Sequence, residues 1–289
     1  MKVAHLILAH KNPEQLSRLI KALDHPGFDF YIHVDKKYDE APFRTLLAQK
    51  NVFFVNKRTK IYWGDWGTIQ ATLNGFEAIL DKNYSHINVI SGQDFPIKPS
   101  NYIYNYFVQN KSTEFITCDF IEGEWSDVAS RISDYHLINW RMPGKHRLEK
   151  VLTKILPKRK FPLNYEIVGR ANWFSLTNEA VKYALKFLQE NPKIIKYFRY
   201  CWGADEFIFS TILYNSSFKK NIKNNLVYVD WNKEHVGHPK ILQTIDFDKL
   251  LNSDKLFARK FDINFDAAIF KKIEEKITLD QAKPGVYKS

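Results

Sequence analysis

Apolar positions along the first third of the chain alternate between two patterns. Val3 to Leu8 is a short β-rich run, and Asn12-Pro13 after it reads as a helix cap with a first-turn proline. Leu16, Leu19, Ile20 and Leu23 then recur at i, i+3, i+4 and i+7, the stripe of an amphipathic helix. Phe30 to Val34 and Val52 to Val55 predict second and third strands, Ile69 to Leu80 a helix, and Ile87 to Ile90 a fourth, buried strand. Strands alternating with helices argue for a mostly parallel sheet covered on both faces.

The second half is less regular. Trp173 to Leu176 reads as a strand, and Thr177 as the cap of a helix carrying Val181, Ala184, Leu185 and Leu188 on one face. Ala204 to Asn215 reads as a helix, Leu226 to Val229 as a strand, and Phe265 to Ile277 as a final helix. No Gly/Ser linker divides the chain, so residues 1–289 are expected to form a single domain. Within it, about 1–110 would be a nucleotide-binding half and about 165–289 a catalytic and acceptor half. The poorly patterned stretch 122–164 is expected to be the variable, mobile part.

Ligands of open α/β sheets bind beyond the carboxyl ends of the strands. Leu8-Ala9-His10, His33-Val34-Asp35 and Ser91-Gly92-Gln93-Asp94 each stand at such an end. Neither GxGxxG nor GxxxxGK[ST] occurs, so dinucleotide and P-loop readings lack their phosphate-binding turns.

Composition narrows the classes further. With 45% hydrophobic residues, including 22 Phe, 15 Tyr and 7 Trp, the chain can bury a core and still offer rings for sugar or base stacking. The net charge of +11 is concentrated in 145–160 (KHRLEKVLTKILPKRK), read as a solvated basic loop or a contact for anionic lipid or phosphate. Zinc-finger spacing and RNP-type aromatic motifs are absent, which argues against nucleic acid. Two cysteines, Cys118 and Cys201, make no disulfide framework and favour a reducing compartment. The apolar run at the N-terminus is short and broken by His5 and His10, so it reads as a strand and not a signal peptide. A soluble protein of the cytoplasm, peripheral to the inner face of the cell membrane, is the resulting expectation.

Two segments carry candidate chemistry. Cys201-Trp202-Gly203-Ala204-Asp205-Glu206-Phe207 places two carboxylates at a predicted helix start, where the helix dipole should keep at least one ionised. Leu256-Phe257-Ala258-Arg259-Lys260-Phe261-Asp262 places two cations on an aromatic-rich turn. A base and a cation suit transfer from a nucleotide-activated donor. Taken alone, each has a plainer reading: acids in first turns are common dipole partners, and lysines snorkel from aromatic turns.

Together with Ser91-Gly92-Gln93-Asp94-Phe95-Pro96-Ile97-Lys98 and Ile32-His33-Val34-Asp35, these segments resemble the core-2/I-branching β-1,6-N-acetylglucosaminyltransferase family, which includes the peptide O-xylosyltransferases. The resemblance runs from His10 to Asp262 and is weakest between Glu122 and Asn164. It implies a GT-A-type α/β fold with a mixed, mostly parallel sheet. It also implies inverting transfer from a UDP-sugar, N-acetylglucosamine or xylose, to a carbohydrate or glycolipid hydroxyl.

By the resemblance Glu206 is the catalytic base and Lys260 the diphosphate-binding lysine, with Arg259 beside it. Asp205 is left a capping or supporting role on the acceptor side. Asp35 matches the aspartate holding the uridine, Leu8 an apolar residue lining the base pocket, and Trp63 an aromatic near the nucleotide. Trp231 matches a tryptophan beside the acceptor sugar. For Trp63, Trp66 and Trp231, core packing competes with these roles. The family is metal-independent, and no Asp-x-Asp stands near Asp94, so no metal or other cofactor is expected. The family's branching enzymes carry an arginine upstream of the lysine. Here the stretch is His235-Val236-Gly237-His238-Pro239-Lys240, so His238 or Lys240 is left as the second cation. His235 and His238 alone make a weak metal site.

A bacterial-type enzyme of surface polysaccharide or glycan synthesis is the expectation. The rivals are a metal-dependent or retaining transferase and a basic protein binding nucleic acid or anionic lipid.

Overall fold

The computed structural model describes residues 1–121, 125, 128–231 and 238–281. The described chain forms two compact units, each assembled from separate stretches: 1–56, 82–111 and 226–289 in the first, 57–81 and 112–225 in the second.

In the first unit the strand Val3–Ala9 is buried along its whole length and pairs in parallel with Phe28–Val34 on one side and His86–Ser91 on the other. Phe28–Val34 pairs in parallel with Val52–Phe54. Strands buried on both faces read as near-continuous apolar runs, which is why these elements stand where the pattern puts them. His5, polar but fully buried among Phe28 and Phe30, has its pKa pushed down to about 3 by burial, so it packs as a neutral ring with Asn88 at its Nδ1. The registers set Leu8 beside His33 and Ser91, so the carboxyl ends of the three central strands lie side by side.

A second small sheet in this unit fixes the segment carrying Arg259 and Lys260. Phe257–Arg259 pairs in parallel with Val227–Val229 and antiparallel with Asp94–Pro96, matching Arg259 to Asp94. Phe95, Phe261 and Phe270 pack against one another beneath it, with ring centroids 5.0–6.0 Å apart. The aromatic-rich turn expected at 256–262 is therefore a strand over residues 257–259.

The second unit carries the antiparallel pair Glu114–Phe115 with Phe174–Thr177 and the parallel pair Glu114–Phe115 with Ile222–Lys223. Phe76, Phe174 and Phe209 cluster in its core. Thr177 caps the helix Asn178–Glu190 as expected, its side chain accepting from the Ala180 N–H. The strand pairs are mixed and mostly parallel, the GT-A-like α/β architecture.

Several local expectations need correction. Asn12 holds the cap position of the helix Pro13–Ala22, but its side chain makes no capping bond and donates to Asp262 instead. Among the described residues of 122–164 the helices are Ala129–Ser133 and Lys145–Ile155, so the basic segment begins as a helix and not as a loop. The helix expected over 204–215 is broken: Ala204–Glu206 is a 3-10 turn and Ile208–Tyr214 an α-helix. The last helix among the described residues is Ala268–Gln281. Among the described residues, no helix is long and apolar enough to cross a membrane. Both cysteines are free thiols.

Candidate active site

The first unit gathers the residues expected to hold a donor. Leu8 is buried at the end of its strand. Asp35, also buried, follows the neighbouring strand, with its N–H on the Ala9 carbonyl and its carboxylate taking the Lys37 N–H at 3.0 Å and the Lys37 ammonium at 3.3 Å. His10 shares this neighbourhood. Its imidazole is held below the usual histidine range by burial and then by Lys11 and Lys260, against the opposing pull of Asp35.

Asp94 has no exposure at all. Its carboxylate accepts the Ser91 N–H at 2.8 Å and the Ser91 hydroxyl at 3.0 Å, closing the turn after the strand His86–Ser91. It also faces the Arg259 guanidinium at 3.3 Å. The Phe261 N–H then donates to the Gln93 carbonyl, and the Gln15 amide spans the Gly92 and Phe261 carbonyls. The string Asp94-Phe95-Pro96 thus grips both residues flanking Lys260. Arg259 turns to Asp94, whereas no carboxylate among the described residues lies within ion-pair distance of the Lys260 ammonium. Burial lowers the Lys260 pKa, helped by Arg259 and Lys11.

Lys240 runs beside this segment, its carbonyl taking the Lys260 N–H and its ammonium paired to Asp246 at 2.6 Å. That pairing leaves it a weaker candidate for the second cation than sequence spacing suggests. His238 is exposed, and His235 lies outside the described residues. Lys98 donates to the Leu251 carbonyl, an architectural contact. Trp231 is 60% exposed, so core packing is not its role.

The second unit builds the surroundings of Glu206. The backbone before it turns at Gly203, which takes φ +64°, a conformation that side chains rarely allow. A Cβ there would also fall 2.2 Å from an Arg131 nitrogen. Arg131 uses the space: it donates to Glu206 Oε2 at 2.9 Å and to the Trp202 carbonyl at 3.2 Å. Its guanidinium lies 4.3 Å from the centroid of Trp202 and 5.1 Å from that of Phe207. Trp63, 61% exposed, meets Trp202 edge-on at 4.8 Å, whereas Trp66 is buried. A solvent-facing indole therefore connects through Trp202 and Arg131 to the Glu206 carboxylate.

Burial raises the Glu206 pKa to about 7, opposed by Arg131 and assisted by Asp205. Asp205 is raised as well, by burial first, with the Asn172 amide at 3.0 Å opposing. The α-helix starts only at Ile208, past both acids, and burial raises both carboxyls against any favourable dipole at its end.

Within the first unit the structure brings together Leu8, Asp35, Asp94, Arg259, Lys260 and Lys240; within the second, Glu206, Asp205 and Trp63. Trp63, expected near the nucleotide, shares its unit with Glu206, and Trp231, expected near the acceptor, shares its unit with Lys260. Arg131 and His10 were not among the site residues expected from sequence. Arg131 falls in the patternless stretch and offers no signal, while His10 had one, its place at a strand end. Among the described residues, no three His, Cys, Asp or Glu side chains gather as a metal site would require.

An α/β scaffold with charged residues at adjoining strand ends, and a half-buried carboxylate of raised pKa, suit a group-transfer enzyme. The family model described as Core-2/I-Branching enzyme matches residues 3–250, so the chain belongs to that glycosyltransferase family. The xylosyltransferase oxt of Drosophila pseudoobscura pseudoobscura is 26% identical over 292 residues, covering 90% of this chain and 31% of that protein. The human beta-1,3-galactosyl-O-glycosyl-glycoprotein beta-1,6-N-acetylglucosaminyltransferase is 22% identical, covering 95% of this chain and 69% of that protein. The chain spans about a third of the length of the xylosyltransferases it matches. Among solved structures, galactosyltransferase LGTC in complex with donor and acceptor sugar analogs covers 96% of this chain and 96% of its own, at 9% identity and a TM-score of 0.46. Apo mouse xyloside xylosyltransferase 1 covers 89% of this chain and 97% of its own, at 10% identity and a TM-score of 0.42.

Proposed function

We propose that this protein is an inverting, metal-independent glycosyltransferase that moves N-acetylglucosamine or xylose from a UDP-sugar to a carbohydrate or glycolipid hydroxyl. Glu206 takes the hydroxyl proton as the acceptor oxygen attacks the anomeric carbon. The bond from that carbon to the diphosphate breaks on the opposite face, and UDP leaves with the electron pair. Lys260 offsets the charge developing on the leaving diphosphate. Asp35 and Leu8 hold the nucleoside, and the exposed indoles of Trp63 and Trp231 offer faces to sugars. The reading extends to surface polysaccharide or glycan synthesis on the cytoplasmic side of a membrane.

The observation that carries this reading is the Glu206 carboxyl, with its pKa raised by burial to about 7 and its orientation fixed by Arg131. A base works best when its pKa lies near the operating pH. The two basic residues at 259–260 support departure of the diphosphate without a divalent ion. Calorimetric titration of UDP, with and without EDTA, tests the donor and the metal together. Micromolar-range affinity, about −8 kcal/mol, is expected in both conditions. Binding that appears only after Mn²⁺ or Mg²⁺ is added refutes the metal-free mechanism, and no UDP binding in either refutes the donor.

A further inference from the structure

The helix Lys145–Ile155 contains no buried residue, although its sequence is amphipathic. Its half-exposed residues, Lys145, Glu149, Leu152 and Thr153, share one side, turned toward the protein. On the outer side, Leu148, Val151 and Ile155 follow i, i+3, i+7 spacing and are 37%, 51% and 68% exposed. Arg147, Lys150 and Lys154 repeat that spacing one residue earlier, so a basic stripe runs along the apolar one. None of these three cations is ion-paired among the described residues. Glu149, the helix's single acid, is turned inward, accepting the Leu137 N–H at 2.7 Å and facing His146 Nδ1 at 2.9 Å. Trp140 and Met142, just before the helix, are 44% and 46% exposed.

We propose that this face is a docking surface for an anionic lipid bilayer, with the helix lying in the plane of the headgroups. Apolar side chains would enter the acyl boundary while the neighbouring cations meet lipid phosphates. Charge decides against the other occupants. A second copy meeting this face with its own would set Arg147, Lys150 and Lys154 against the same cations. Residues 282–289 carry Lys283 and Lys288 and no acid, so they offer no complementary charge either. A nucleic acid would satisfy the basic stripe and leave the apolar one without a role.

The test is sedimentation of the full chain with vesicles of phosphatidylcholine alone or mixed with phosphatidylglycerol. Binding to the mixed vesicles and not to the neutral ones is expected, weakening as salt rises. Arg147→Gln, Lys150→Gln and Lys154→Gln together should weaken it by about 100-fold, at roughly fivefold per charge removed. Val151→Ser with Ile155→Ser keeps the charge and should weaken it by about tenfold through lost apolar burial. Melting temperatures should match wild type in both variants, since every altered side chain is exposed. Equal sedimentation with neutral and mixed vesicles overturns the proposal, as does wild-type binding in either variant. Single-stranded DNA binding as tight as that to mixed vesicles, with the Ser variant unaffected, would make this a polyanion surface instead. Concentration-dependent dimerisation lost in the Ser variant would make it a self-association face.

Discussion

Glu206→Gln removes the proton acceptor while keeping its shape, so it tests chemistry and stability together. Burial raises the Glu206 pKa from 4.5 to about 7, which means the folded protein holds this proton more tightly than the unfolded chain does. The stability this group contributes is complete below about pH 4.5 and is lost as pH rises through about 7. At about 1.4 kcal/mol per pKa unit, the ionised carboxylate costs the folded state about 3 kcal/mol above pH 7. Glutamine behaves as the protonated acid does: it is neutral and still offers Arg131 an oxygen. The mutant is therefore expected to match wild type at pH 4 and to exceed it by about 3 kcal/mol at pH 8.5, a melting rise of roughly 5–10 °C. Turnover should move the other way, falling by about 10²–10⁴ with UDP affinity unchanged. The wild-type rate should climb with pH and level off above about 7, as the carboxylate forms. Thermal melts at the two pH values, with transfer rates measured alongside, provide the readout. Transfer at near wild-type rate in Glu206→Gln, with a dead Asp205→Asn, would show that the base is the neighbouring acid. A mutant no more stable than wild type at pH 8.5 would refute the burial account of this carboxylate.

Lys260→Ala should weaken UDP binding and slow transfer, each by about 2–4 kcal/mol, because ground state and leaving group both lose a cation. Calorimetry and kinetics at wild-type values would pass the role to Arg259, His238 or Lys240. Gly169→Ala would put a Cβ 2.2 Å from the Glu206 carbonyl oxygen, so the 3-10 turn must shift. A base displaced by about 1 Å can cost on the order of 10² in rate; turnover should drop to that degree with UDP affinity retained, and an unchanged rate would mean Glu206 need not be held where it stands.

Parallel strands buried on both faces were legible because their runs are mostly apolar, with His5, Asp29, His33 and Asn88 as buried polar interruptions. Pairings across long sequence separations were not. Asp94 and Arg259 lie 165 residues apart, and nothing local in either segment says that they align in an antiparallel pair. The string Asp94-Phe95-Pro96 was recognisable as a family mark, yet its work, gripping the residues around Lys260, required the fold to be seen. The break at Phe207 escaped for a different reason. Apolar positions resume at Phe207 and continue to Tyr214, so periodicity alone extends the helix over the 3-10 turn that follows Gly203. Arg131 sits in a stretch without period, where nothing distinguishes one arginine from its neighbours.

The arrangement around Glu206 also explains why its base strength falls where it does. Desolvation alone would drive the carboxyl far up, and Asp205 pushes in the same direction. Arg131 is the counterweight, and the counterweight cannot swing away. It is held by the Trp202 carbonyl and stacked among the rings of Trp202, Phe207 and Trp125, the last of these 5.6 Å from its guanidinium. It reaches the carboxylate only because Gly203 has no side chain to block it. A fully solvated glutamate would be a weak base, and a fully buried one would stay protonated at neutral pH. A half-buried carboxylate paired to one caged cation sits between those limits, raised to about 7 and strong enough to take a hydroxyl proton as the acceptor attacks.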